Sequence, residues 1–271
     1  MFKFIKIISR SLVDFFRDNG IMLAGSISYF AMMAMVPFCL FLITVLGYVL
    51  GKYHGFYDFF SHRLIEFFPE ITSGIIKELN KLISYKVLGS LSLLLYGFLS
   101  IQVFASLENA LNIIFKVKKK RSFFWSVIFS IIMITFVIIT VFVSFTATSL
   151  IPLLKTLKHV FPTLRIGLIT ALLIRYIVPF ITVLLAVTIM YLFFPKSKVR
   201  IKHALSGALF TTLLLEIAKH IFTWYVGTVV KFGTIYGPLS AFIVFLLWVF
   251  YSSCIFLIGA EIVHNLNPSK K

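Results

Sequence analysis

Acidic side chains are scarce in this chain. Among 271 residues there are 9 Asp plus Glu, and the only aspartates are Asp14, Asp18 and Asp58. A hydrolytic nuclease needs Asp, Glu and His clustered to hold metal and activate water. The six histidines, at 54, 62, 159, 203, 220 and 264, show no metal-ligand spacing. There is no nucleophile elbow, phosphate-cradling loop or zinc motif either. The two cysteines, Cys39 and Cys254, lie in apolar runs and read as small buried hydrophobes without a redox message. The N-terminal stretch lacks a long apolar core and a small-residue cleavage site, so no secretory signal is expected. These absences argue against an enzyme, a bound cofactor or a metal. Without an ATP-binding motif, any transport would be passive, ion-coupled or driven by a partner.

What is present is apolar mass. The chain is 60% hydrophobic and 13% charged, with 32 phenylalanines and a mean hydropathy of +1.04. A soluble globular protein is about half apolar and about a quarter charged. The few polar side chains here cannot cover a water-facing surface, and the phenylalanines read as lipid-facing bulk. A bilayer span needs about 20 apolar residues, and runs of that kind occur at about 21–50, 86–115, 123–152, 166–194, 202–228 and 238–263. The expected fold is all-α: a polytopic bundle of six transmembrane helices in one membrane domain, 21–266, with a short tail, 267–271.

The net charge of +17 reads as topogenic rather than as a nucleic-acid footprint. Fifteen of the 26 Lys plus Arg fall in the N-terminal arm, in "KVKKKR" (116–121), in "PKSKVRIK" (195–202) and at the tail. The alternate connections, 51–86, 153–165 and 229–237, carry nine, and Asp58, Glu66, Glu70 and Glu78 nearly neutralise the first. The positive-inside rule then places both termini in the cytoplasm. Residues 1–20 put Phe4, Ile5, Ile8, Leu12, Phe15 and Phe16 on one helical face, with Lys3, Lys6, Arg10, Asp14 and Arg17 on the other. This predicts a basic amphipathic helix at the membrane surface, stopped by Asn19-Gly20. The external loop 51–86 alternates aromatic and aliphatic residues with charges and predicts further amphipathic helix, broken near Pro69.

Four stretches together resemble one family: "AGSISYFAMMAMVPFCLFLITVLGYVLG" (24–51), "ASLENALNIIFKVKKKRSFF" (105–124), "IRYIVPFITVLLAVTIMYLFFPKSKVRIKHALSGALFTTLLLEIAKHIFTWYV" (174–226) and "YGPLSAFIVFLLWVFYSSCIFLIGAEIVHNL" (236–266). The order and spacing are similar to the YihY/BrkB family of bacterial inner-membrane proteins, once labelled ribonuclease BN. The resemblance implies a fold and an inner-membrane location more than an activity. Its motifs match at "LEN" (107–109), "RY" (175–176), "E-x-x-K" (216–219) and "GAE" (259–261), which carries importance onto those positions. The residues themselves speak against intrinsic ribonuclease activity.

Ionisable groups deep in a bilayer cost a few kcal/mol and normally face a partner in the bundle. Five qualify: Glu108, Arg175, Glu216, Lys219 and Glu261. At about 1.5 Å per residue, Arg175 lies about 14 Å from the outer face, Glu216 about 18 Å and Lys219 about 13 Å. These three share a layer, beside the kink expected at Pro179. Glu216 can pair with Lys219 one turn on, or with Arg175 across the bundle, which would leave Lys219 for a substrate or lipid phosphate. Glu108 and Glu261, with Asn109 and Asn112, make a second layer near the cytoplasmic end, where helix anchoring is favoured over transport. The row Ala24, Ser28, Ala31, Met35 is read as close helix packing. Two roles stay open for the first layer: structural glue and a transport path. The expected partners are membrane lipids, an envelope precursor as cargo, and a second copy or an envelope protein. The leading reading is a handler of lipid or another amphiphile. The alternatives are a small-ion or solute exporter and a non-transporting scaffold.

Overall fold

The computed structural model describes residues 2–34, 90–117, eight positions between 125 and 139, 177–226 and 240–267. All regular structure among the described residues is helical. The helices are α1 (Phe2–Arg17), α2 (Gly20–Ala34), α3 (Ser90–Ile114), α4 (Val178–Phe193), α5 (Ile201–Trp224) and α6 (Ser240–Leu266). The external loop 51–86, most of the third expected span, Arg175 and Cys39 lie outside the described residues.

Two of the described stretches, Ile201–Trp224 and Phe242–Leu266, are long and apolar enough to cross a membrane. With 24 residues in α5 and 27 in α6, the helices are roughly 36 and 40 Å long, against a hydrocarbon core of about 30 Å. Gly20–Ala34, Ile101–Ile114 and Val178–Phe193 are shorter apolar helices over the residues described. Among the described residues, two of the six expected spans thus coincide with helices long and apolar enough to cross a membrane, and three with shorter apolar helices.

α5 and α6 are antiparallel. Gly207 faces Val263, Thr211 meets Gly259, and Phe222 meets Trp248, so the contacts advance along one helix as they retreat along the other. α4 packs beside α5 across the short connection 194–200, and α1 packs on α6. Small side chains make the close approach possible: Ala204, Gly207, Ala208 and Thr211 on α5 are all buried against α6 or α4. Where lipid replaces water, apolar burial no longer drives helix association. Close van der Waals contact and interhelical hydrogen bonds take over, and small residues permit both.

On its other side α5 carries a row of exposed side chains at four-residue spacing: Ile201, Leu205, Leu209, Leu213, Ile217 and Ile221. Trp125, Ile128, Ile132 and Ile139 are exposed as well. A continuous apolar ridge of this length is costly in water and natural against acyl chains.

The stop expected at Asn19-Gly20 is present, with a definite geometry. Asn19 adopts φ 56°, the left-handed region, and its N–H reaches the Phe16 carbonyl at 3.2 Å. A Cβ on Gly20 would strike the Phe15 ring and carbonyl, so only glycine lets α2 start there. Asparagine tolerates the left-handed region better than other non-glycine residues. Asn19→Ala is therefore expected to cost about 1 kcal/mol and Asn19→Gly almost nothing. Thermal melts of the two solubilised variants would check the order.

Ser11 and Phe15 of α1 are buried, whereas Leu12, Val13 and Phe16 are exposed. The helix expected on the membrane surface is thus docked on α6 along one side and keeps apolar residues free on another. Ala24 and Ser28 of the small-residue row are buried too, and Ser26 Oγ lies 3.3 Å from Ser106 Oγ.

Candidate functional site

The mid-depth layer rests on α5. Lys219 Nζ donates to Glu216 Oε1 at 2.7 Å, and His220 Nε2 lies 3.6 Å from the same oxygen. Spacing of three and four residues on one helix places these groups together without help from a neighbour. The pair is not sealed in: the Lys219 and Glu216 side chains are 42% and 45% exposed. Yet Lys219 is seven residues from buried Thr212 on one side and from buried Val226 on the other, with buried Phe222 one turn away. Seven residues is nearly two full turns, so Lys219 stands on the row that elsewhere faces the bundle. That row is buried at Thr212, Phe222 and Val226 and half-exposed at Lys219, between the Gly259 and Trp248 levels of α6. Arg175, the third member expected in the layer, lies outside the described residues.

Pro179 is the second residue of α4, two positions after Ile177, where the ladder is of the wider π type. Proline supplies no N–H to that ladder, which accounts for a helical irregularity at this point.

The second layer is a dense polar junction of α1, α3 and α6. Glu108 and Asn112 are buried one turn apart on α3, while Asn109 points outward. The Asn112 Oδ1 accepts the Lys196 N–H at 3.1 Å, and Asn267 donates to the Lys198 carbonyl at 2.9 Å. Two helix ends thereby hold the backbone of the "PKSKVRIK" connection. α3 stops with Lys116 at φ 53°: its N–H returns to Ile113 O and that of Val117 to Asn112 O. This is the paired C-terminal closure usually built with glycine. The Lys116 ammonium is ion-paired to Asp18, in the turn that follows α1. Asn265 of α6 donates to Ser11 Oγ and to Asp14 Oδ2, each at 3.0 Å, and the His264 ring packs edge-on against Phe115. Glu261, one turn before Asn265 on α6, is fully buried.

Two features were not singled out from sequence. One is the part of Ser11, Asp18, Lys116 and Asn265 in this junction; the signal available was a hydroxyl and carboxylates interrupting the α1 pattern. The other is a polar node between α4, α5 and α6. The Tyr191 hydroxyl donates to the Phe256 carbonyl at 2.6 Å and lies 2.8 Å from Thr211 Oγ1. A phenol has one proton, so Thr211 must donate to Tyr191. No group of three or more His, Cys, Asp or Glu able to hold a metal ion occurs among the described residues.

No solved structure matches the chain. A family model described as Virulence factor BrkB matches residues 12–270. A UPF0761 membrane protein of Chlorobium luteolum is 28% identical over 279 residues, covering 96% of this chain and 61% of that protein. A UPF0761 membrane protein of Aliivibrio fischeri is 30% identical over 253 residues, 90% of this chain and 77% of its own length. One from Vibrio vulnificus is 29% identical over 250 residues, with 90% and 76% covered. The chain thus spans less than two thirds of the Chlorobium relative and about three quarters of the other two. With a family match along nearly its whole length and an apolar ridge suited to lipid, the chain belongs to the YihY/BrkB family of membrane proteins.

Proposed function

We propose that this protein crosses the bacterial inner membrane six times, with both termini in the cytoplasm, and handles a lipid, a lipid-linked envelope precursor or another amphiphile. The supporting observation is the half-exposed Lys219–Glu216 pair on an otherwise inward-facing row of α5. An anionic headgroup approaching α5 at this level would meet the Lys219 ammonium, with Arg175 expected at the same depth, while its tails stay among the exposed aliphatic side chains. Strong hydrogen bonds to a charged donor favour phosphate and carboxylate headgroups. No covalent chemistry is required, so the reading is of a non-enzymatic protein acting on membrane lipids, with a second copy or an envelope protein as a further partner. Nucleic acid has no part in it.

The scaffold reading has one observation in its favour: Lys219 and Glu216 satisfy each other within a single helix. Lipid and small-ion flux in proteoliposomes separates the readings. The native chain is expected to move lipid, and folded Lys219→Met and Arg175→Met variants to lose that flux. Ion flux without lipid flux would favour an ion or solute exporter. Flux of neither, with variants merely less stable, would make the pair structural.

A further inference from the structure

The charges of the Lys219–Glu216 pair are already matched, and that restricts which headgroup the pair accepts. Lys219 Nζ and Glu216 Oε1 are 2.7 Å apart, one turn from each other on α5. His220 Nε2, 3.6 Å from the same oxygen, adds a charge only when protonated. Among the described residues the site is thus a cation and an anion side by side, both half-exposed. A purely anionic headgroup meets this arrangement badly. To reach Lys219 it must draw the ammonium from Glu216 or lie beside the carboxylate, and either leaves negative charge uncompensated. In the low-dielectric surroundings of a bilayer, removing one partner of an ion pair costs more than the pair itself contributes. A headgroup carrying both signs meets no such penalty. Its phosphate lies against Lys219 and its ammonium against Glu216, so the two dipoles run antiparallel and every charge keeps a partner.

The end of α5 shows how such a headgroup arrives. Trp224 and Tyr225 are exposed there, and Tyr251 is exposed on α6, where Phe222 of α5 meets the Trp248 and Tyr251 rings. Exposed Trp and Tyr near the end of a span mark the headgroup level of a bilayer. Lys219 stands five residues before Trp224, about 7.5 Å along the helix axis. A phospholipid beside α5 brings its headgroup to the pair over that short distance, while its tails run along exposed Leu213, Leu209 and Leu205.

We propose that Lys219 and Glu216 together recognise a zwitterionic phospholipid headgroup, one with a phosphate and a primary amine, as in phosphatidylethanolamine. This rests on the reading that a lipid headgroup meets Lys219, and it adds the class of headgroup. Lys219 donates to the phosphate, and Glu216 accepts from the ammonium, both charge-assisted hydrogen bonds. The primary amine matters because it carries N–H donors. A choline headgroup has the same charges without a donor, and a glycerol headgroup has the phosphate without the cation. A headgroup of net negative charge would need a second cation at this depth. Arg175, expected there, lies outside the described residues, and a preference for phosphatidylglycerol is the result that would bring it in.

The test follows thermal stabilisation of the full chain in an uncharged detergent. Short-chain phosphatidylethanolamine, phosphatidylcholine and phosphatidylglycerol are added in turn at about pH 8, above the ordinary imidazole range. Phosphatidylethanolamine is expected to stabilise at about a tenfold lower concentration than phosphatidylglycerol. Glu216→Gln should erase that advantage, because Lys219 is then free for an anion and no carboxylate takes the amine. Phosphatidylglycerol or phosphatidylcholine matching phosphatidylethanolamine on the native chain would overturn the proposal and leave the lipid reading standing. This comparison needs no variant, so it decides even where Glu216→Gln does not fold. An advantage that survives in folded Glu216→Gln would also overturn the proposal, since the amine is then read elsewhere. Stabilisation by none of the three lipids would overturn both the proposal and the lipid reading.

Discussion

Gly259→Leu is expected to leave little or no folded protein, while Gly25→Ala leaves stability unchanged or slightly higher. At Gly259 the α6 backbone runs against α5, and a Cβ there would fall on Thr211 Oγ1 and the Tyr191 hydroxyl. Neither atom can give way cheaply. Each belongs to the buried node, and Tyr191 has no exposed surface into which to swing. A single added methyl, as in Gly259→Ala, should already cost about 1–3 kcal/mol through overpacking. A branched side chain forces the helices apart along the whole seam, where a Cβ on Gly207 would likewise strike the Val263 side chain and the Gly259 carbonyl. In a membrane the loss is not cushioned, because separated helices are solvated by acyl chains about as well as by each other. Gly25 is the opposite case: nothing lies within 4 Å of its Cβ position. There the change brings only the helix preference for alanine, about 0.5–1 kcal/mol. Thermal unfolding followed by size-exclusion chromatography of the solubilised variants distinguishes the two. Equal behaviour would mean that α5 and α6 do not meet at Gly259.

Tyr191 carries the second large effect. It is fully buried, stacks 4.9 Å from Phe256 and bridges three helices with one hydroxyl. Tyr191→Ala combines a cavity with an orphaned Thr211 hydroxyl and is expected to cost about 3–5 kcal/mol. Tyr191→Phe keeps the ring and removes only the hydroxyl. The Phe256 carbonyl keeps its helical partner, but the Thr211 hydroxyl loses its acceptor, so about 1–3 kcal/mol is expected. Thr211→Val in that background should recover part of the loss, since nothing then needs the missing oxygen. A double-mutant cycle on thermal stability checks this. Additive single effects would show that the two hydroxyls are not coupled.

Much of this was legible in the residues. The apolar runs at 202–228 and 238–263 overlap α5 and α6 to within a few residues at each end, because a bilayer demands length and continuous apolarity, and both are properties of a string of residues. Asn19-Gly20 could be read as a stop because its chemistry is local. The Glu216–Lys219 pair followed from spacing alone, since neighbours at three and four residues meet on any helix. The polar junction was visible only in part. Glu261, Glu108 and Asn112 stood out as polar groups in apolar runs, but nothing in the spacing told which side chains would come to them. Asn265 and Asp14 are 251 positions apart and meet only because α1 folds back on α6.

The order of amino acids thus determines membrane class, helical class and family, since each depends on composition, run length and local spacing. Which glycines are indispensable is a matter of packing: Gly25 and Gly259 are alike in a one-dimensional reading, and only the nearness of another helix separates them. The same holds for the carboxyls. Whether a buried glutamate has a donor, a lysine or another carboxylate beside it depends on residues far along the chain, and on how closely their helices approach.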